Sequence, residues 1–396
     1  IFMLNNFVYY TPTKVVFGTD TEMQTGQLLK EAGATKVMIV HFGQPIPTLV
    51  NLVDRVKKNI EEQGIETIEL SGVVPNPRLS KVYEGIEIAK RENVDYFLAI
   101  GGGSVIDTAK AIALGMCYEG DVWDFFIGKA DPQDSFPVSC VLTIAATGSE
   151  MSSGLVITKD ENLLKRDCGH PNVACRFSIM NPDITLSLPA YQTASGCADI
   201  LMHTMERYIC SHDSLDITDS ISEGLMKTVI KHAKILVDNP QDKKARWEVM
   251  WASSLSHNGI TGCGMHEIDF PAHMLEHELG GMFDVTHGAG LTAIWGSWAR
   301  EMLPILSDRL SKFATDVMGV EKKSTEKETA IAGIEALENF FKEIKMPINM
   351  TELGISPTDE QIETLASLAI HRTIANPHLK EALQKQQALN IFKNAK

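Results

Sequence analysis

Short β-branched apolar runs alternate with helix-length amphipathic stretches over the first half of this chain, and that alternation restricts the fold more than any other feature. Lys14–Phe17, Val37–Val40, Ile65–Leu70, Tyr96–Ile100 and Val138–Ile144 read as strands, and Thr48–Gln63 and Leu79–Glu92 as helices. Apolar strands bounded by longer helices predict a parallel sheet covered on both faces. Beyond Pro189 the texture changes: Ile217–Val237, Ala245–Leu255, Ser307–Val317, Thr325–Lys345 and Asp359–His371 read as helices, with hardly a strand-like run among them. The expected organisation is an α/β domain over 3–187 followed by an all-helical domain over 188–396. Ile1 and Phe2 read as additions ahead of a native start at Met3.

Charge narrows the partners. A net charge of −15, spread along the chain, disfavours nucleic acid and anionic membrane surfaces. No apolar run of bilayer length is seen in this sequence, and it reads without a signal peptide, so neither a membrane span nor a secretory leader is expected. Seven cysteines without a CxxC pair read as reduced thiols, so a cytoplasmic protein is expected.

Ile100-Gly101-Gly102-Gly103-Ser104 follows a predicted strand and opens a predicted helix. Glycines let backbone approach a phosphate, and the free N–H groups of a first helical turn point at it. The same sequence also suits a plain strand-to-helix turn. Ala145-Ala146-Thr147-Gly148-Ser149-Glu150 follows the next strand, and two such loops at strand ends together favour a nucleotide.

Asp199 and His203 stand at i,i+4, one turn apart on a helix face. His273 and His287 lie in apolar, glycine-rich stretches with little other use for imidazoles. One carboxylate and three imidazoles suit Fe²⁺ or Zn²⁺, not Ca²⁺ or Mg²⁺. His170, His212, His232, His257 and His266 lack such context and read as structural or exposed. A competing pattern is present: His273-Met274-Leu275-Glu276-His277 matches the H-x-x-E-H of a zinc peptidase, with Glu276 as base. That reading leaves the glycine turn, Asp199 and His203 unexplained.

In order along the chain, these motifs resemble the iron-containing (group III) alcohol dehydrogenases, of the NADPH-dependent butanol dehydrogenase type. The resemblance rests on Pro12–Gly18, Val74-Pro75-Asn76-Pro77-Arg78, Gly101-Gly102-Gly103-Ser104 with Asp107 and Lys110, and Ala146–Glu150. It continues through Pro189, Ala194, Gly196, Asp199-Ile200-Leu201, His203 and Glu206, then His273–Leu279 and His287-Gly288-x-Gly290. It implies a dinucleotide-binding α/β domain and a helical domain with the active site in the cleft between them, and a homodimer. It implies Asp199, His203, His273 and His287 as ligands of Fe²⁺, with Zn²⁺ possible. His277 matches a histidine near the substrate, and Thr143, Thr147, Lys165 and Asn76 match contacts to the cofactor's ribose and nicotinamide part. The implied reaction interconverts primary alcohols, such as butanol, and aldehydes with a nicotinamide cofactor. Same-fold alternatives are a zinc polyol dehydrogenase and a dehydroquinate synthase-like enzyme.

Three positions depart from the family pattern. Asn181 occupies an acidic slot, Ser152 stands where relatives carry Asn, and His41-Phe42-Gly43-Gln44-Pro45-Ile46 replaces a glycine-triplet turn at the adenosine ribose. No acid lies between Val40 and Leu49 to repel a 2′-phosphate, and no arginine or lysine lies there to welcome one. NADP(H) is therefore favoured over NAD(H).

Overall fold

A computed structural model describes residues 5–43, 46–161, 163–211, 214–266, 268–371, 374 and 382–396. Gln44 and Pro45 of the ribose turn, His212, and the start at Met3 lie outside the described residues. The chain divides into two compact units, Tyr10–Leu188 and Pro189–Lys396, the latter joined by the segment that ends at Tyr9.

The first unit is α/β. Its strands are β1 (Lys14–Phe17), β2 (Lys36–Phe42), β3 (Glu66–Val73), β4 (Tyr96–Gly101), β5 (Val138–Leu142), β6 (Gly154–Thr158), β7 (Lys165–Gly169) and β8 (Phe177–Met180). Its helices are α1 (Thr25–Glu31), α2 (Pro47–Glu61), α3 (Leu79–Glu92), α4 (Gly103–Gly115) and the single turn α5 (Trp123–Phe126). Six strands form one parallel sheet in the order β1-β8-β5-β4-β2-β3. Every residue of β4 is buried, as a strand covered on both faces requires. One face packs Val37, Ile39, Leu98 and Ile100 against Leu29 of α1 and Leu52, Val56 and Ile60 of α2. α3 and α4 sit close together because Gly85 lacks a side chain: a Cβ there would lie 2.3 Å from Ile112 Cδ1.

From β2 the chain moves outward to β3, whereas from β4 it moves the other way to β5. The carboxyl ends of β2 and β4 therefore flank a topological switch point, where open α/β sheets hold ligands. Gly43 leaves β2 there and Gly101–Gly103 leave β4 there. The antiparallel β6–β7 hairpin and β8 were not predicted. Their runs are short, and β7 carries Lys165, Arg166 and Asp167, so periodicity gave no signal.

The second unit is helical: α6 (Ala190–Cys210), α7 (Asp216–Asp238), α8 (Lys243–His257), α9 (Pro271–Phe283), α10 (His287–Asp316), α11 (Glu326–Glu343), α12 (Asp359–Ala369) and α13 (Lys385–Asn394). The helix expected at Ser307–Val317 is the last part of α10, which bends at Leu306, two residues after Pro304. Trp295 and Trp298 of α10 are buried with Phe313 and with Phe341 of α11, Trp295 meeting Phe341 edge-on at 6.5 Å. α6 is buried almost all round from Thr193 to Glu206, which makes it the axis of this unit. None of the described helices is long and apolar enough to cross a membrane.

Candidate active site

α6 presents Asp199, His203 and Glu206 on one face, at successive helical turns. α9 begins with Pro271 at its first position, suited to the fixed proline φ, after Phe270 in the left-handed region (φ 49°). For a non-glycine residue that conformation is costly. The Arg207 guanidinium lies 4.7 Å over the Phe270 ring and holds it in place. The ring in turn meets His273 edge-on at 5.5 Å. His287 opens α10, which comes close to α6 at Gly288: a Cβ there would lie 2.1 Å from Ser195 O.

Three imidazole nitrogens converge on one carboxylate oxygen. His203 Nδ1 lies 3.3 Å, His287 Nε2 3.6 Å and His273 Nε2 3.8 Å from Asp199 Oδ1. Asp199 Oδ1, His203 Nδ1 and His273 Nε2 are buried and make no hydrogen bond. Buried polar atoms left this way are costly, so their concentration in one place indicates a missing partner. Donors about 2.1 Å from a shared tetrahedral ion lie about 3.4 Å apart, the spacing seen here. The donor set therefore fits a borderline divalent ion.

Two carboxylates back the imidazoles. Glu206 Oε2 accepts from His273 Nδ1 in a short contact, and its Oε1 accepts from the Ala272 N–H at 2.6 Å. Glu276 Oε2 accepts from His287 Nδ1, also in a short contact. Gly290 makes room for it, since a Cβ there would lie 2.9 Å from Glu276 Cγ. Both carboxylates are buried. Each holds Nδ1 as the donor, which leaves Nε2 as the nitrogen that faces the cluster.

Electrostatics follow from this crowding. Burial works against an ionised Asp199, but the surrounding imidazoles outweigh it and hold the carboxyl below its usual range. Burial drives His203 well below the usual histidine value, so it is neutral. Burial also opposes a charged His273, yet Glu206 and Asp199 push it up to about 9. Arg207, brought down to about 10 by burial, donates to His203 O at 2.9 Å and Ser256 O at 2.8 Å.

His277 is buried one turn after His273, its ring 5.9 Å from that of His287. It stands beside the cluster but is not among the nitrogens around Asp199 Oδ1. Glu276, assigned the base in the peptidase pattern, instead faces His287. His257, expected to be structural or exposed, lies against His203 with ring centroids 4.3 Å apart. Glu206 and Glu276 received no positioning role from sequence. Each follows a histidine by three residues, but that spacing does not give the partner: Glu206 meets His273 and Glu276 meets His287, both on other helices.

The α/β unit collects the cofactor candidates. Gly102 and Gly103 cannot carry side chains: a Cβ would lie 2.2 Å from Ile144 Cγ2 and 2.4 Å from Thr147 Oγ1. The first turn of α4 is thus pressed against the loop after β5, where buried Thr143 donates its N–H to Gly101 O at 3.1 Å. Ser104 lies in that first turn. Gly43 passes so close to Gly72 that a Cβ would lie 2.4 Å from its Cα. Asn76, at φ 51°, is buried in a turn tied to the hairpin by the Thr158 N–H donating to Pro77 O at 2.8 Å. Lys165 is buried and pairs in register with Thr158.

Asp107, which the resemblance places in the pyrophosphate-binding motif, is engaged by its own unit. It is buried, and its oxygens accept from Ser149 Oγ at 2.6 Å and the Val156 N–H at 2.9 Å. Lys110, fully buried, donates to Ser149 O at 2.7 Å, Ser152 O at 2.9 Å and Gly154 O at 3.0 Å. Asp107 and Lys110 clamp the 149–156 loop onto α4, and Ser152 belongs to the clamped segment. The Asn181 departure also has a partner: its amide donates to buried Glu22 Oε2 at 2.8 Å, and Glu22 pairs with Arg55. Here Glu22 supplies the acid.

Family models agree with this geometry. Residues 12–182 match the model for iron-containing alcohol dehydrogenase, and residues 193–396 match the C-terminal model of the Fe-containing alcohol dehydrogenase family. The chain is similar to NADH-dependent butanol dehydrogenase A of Clostridium acetobutylicum, 36% identical over 393 residues, covering 98% of this chain and 99% of that one. It is similar to the NADPH-dependent aldehyde reductase YqhD of Escherichia coli, 29% identical over 355 residues, 89% of this chain and 90% of that one. Among solved structures, NADH-dependent butanol dehydrogenase A of Thermotoga maritima superposes with a TM-score of 0.93 at 34% identity, over 99% of each chain. With both halves matched and the relatives aligned end to end, the chain belongs to the iron-containing alcohol dehydrogenase family and is an oxidoreductase.

Proposed function

We propose that this protein is a metal-dependent alcohol dehydrogenase or aldehyde reductase that interconverts primary alcohols, such as butanol, and aldehydes with NAD(P)(H). The observation that carries the reading is the convergence of His203, His273 and His287 on Asp199 Oδ1, with the buried Asp199 Oδ1, His203 Nδ1 and His273 Nε2 making no hydrogen bond. These residues would hold Fe²⁺, or Zn²⁺ where supply dictates. When bound, the ion supplies Lewis-acid polarisation of a carbonyl oxygen. Glu206 and Glu276 keep two of the imidazoles in the ligating tautomer. His277 holds the proton exchanged with the substrate oxygen, from its place beside the cluster.

The glycines at 101–103 and the first-turn N–H groups of α4 bind the pyrophosphate, with Ser104 and Thr147 adding hydroxyls. Gly43 borders the adenosine ribose, and Thr143, Asn76 and Lys165 serve the ribose and nicotinamide part. NADP(H) is favoured over NAD(H). The turn after β2 holds no acid, and the nearest strand carboxylate, Glu69, is engaged by Lys57 at 2.6 Å and His41 at 3.3 Å. The relatives include proteins named for each cofactor, so the ratio of dissociation constants for NADPH and NADH is the deciding measurement. All seven cysteines are free thiols, which suits a reducing cytoplasm, and a homodimer is the assembly to test by light scattering.

Absorbance of the reduced nicotinamide with butanal, with and without Fe²⁺ and a chelator, tests the whole reading. Oxidation of the cofactor that a chelator stops and Fe²⁺ restores is the expected outcome. A flat trace across several aldehydes and both cofactors would overturn it.

A further inference from the structure

His287 is the most exposed of the four convergent side chains, at 21% against 3–8% for Asp199, His203 and His273. It also sits at the first position of α10, where no preceding helical turn packs against it. His203 and His273 lie inside helices, the latter walled by Phe270. A carboxylate contact orients the His287 ring: Glu276, which is 0% exposed, reaches Nδ1 from the neighbouring helix. Gly290, one turn along α10, leaves the space that this carboxylate occupies.

From this geometry we infer that Glu276 is a positioning residue for the cation: it anchors the His287 ring with Nδ1 as donor and Nε2 turned toward Asp199. The inference rests on the reading that the cluster binds a metal. It assigns Glu276 a role opposite to that of a peptidase base, which would act on substrate and leave metal affinity unchanged. Carboxylate partners of ligating histidines contribute about 10–100-fold in metal affinity.

The test uses the full-length protein and Zn²⁺ or Co²⁺ alone, titrated against a chromophoric chelator. Glu276→Ala should weaken binding by about 10–100-fold. Glu276→Gln keeps an acceptor for Nδ1 and should remain within several-fold of wild type. In a His287→Ala background, Glu276→Ala should weaken binding no further, because the ring it orients is gone. The Co²⁺ visible spectrum should shift in Glu276→Ala and stay near wild type in Glu276→Gln.

Unchanged Zn²⁺ affinity in Glu276→Ala, with or without loss of turnover, would overturn the inference. So would a loss in Glu276→Gln as large as in Glu276→Ala, or an equal loss in the His287→Ala background. Should Glu276→Ala fail to fold, Glu276→Leu, which fills the same buried space without an acceptor, takes its place in both backgrounds with the same expected losses. Failure of the underlying reading looks different: wild-type protein itself would then bind no more tightly than His203→Ala.

Discussion

The helical unit and the α/β unit each gather buried polar side chains, and they treat them in opposite ways. Around Asp199 the facing nitrogens of His203 and His273 make no hydrogen bond. Around Asp107 and Lys110 every described oxygen and the ammonium meet partners within 3.1 Å. The first arrangement is costly until something external arrives, and the second stabilises the fold by itself. Both motifs carry charged residues at short helical spacing, so spacing alone does not separate a binding set from a clamp. What separates them is whether the protein already satisfies the groups.

The contrast can be broken most sharply at His203. His203→Ala should abolish metal retention and turnover together, as metal analysis and a nicotinamide assay would show. Full activity in metal-free His203→Ala protein would end the reading. Without metal, its unfolding free energy in urea should move little, within about 2 kcal/mol of metal-free wild type. Next in size, His277→Ala should keep its metal yet lose about 10²–10⁴-fold in kcat. Loss of metal in that variant would make His277 a ligand instead.

On the α/β side the expected effects fall on stability. Lys110→Met removes an ammonium that favours an ionised Asp107 and takes the lysine donor from three carbonyls, and should cost about 3–5 kcal/mol in urea unfolding. A cost as small as that of metal-free His203→Ala would erase the distinction between the two regions. Asn181→Asp should be the mildest, at about 1–3 kcal/mol, because it sets a second carboxylate against buried Glu22. That cost should be larger at neutral pH than in mild acid, since the repulsion is lost as either carboxyl gains a proton. Equal urea midpoints for the variant and wild type would mean that Arg55 already carries both charges.

Much of this was legible beforehand. β1, β2, β4, α3 and α7 fall within a residue or two of their expected bounds, because apolar periodicity reports directly on which face a local segment buries. β6, β7 and β8 escaped notice: β7 is built from Lys165, Arg166 and Asp167, whose place depends on pairing across the hairpin. The bend in α10 was legible only as an end, since Pro304 interrupts the pattern without stopping the helix.

The sequence by itself determined the fold class and the glycine turn and singled out the Asp199, His203, His273 and His287 set, because each depends on chemistry repeated within a few residues or on residue types with few other uses. Tertiary structure alone decided what the charged neighbours do. Glu276 became the partner of His287, Glu206 the partner of His273, Asp107 and Lys110 a clamp, and Glu22 the acid beside Asn181. Hydrogen bonding acts over about 3 Å. Which groups come within that distance is set by how separate helices and loops pack, and no local pattern encodes it.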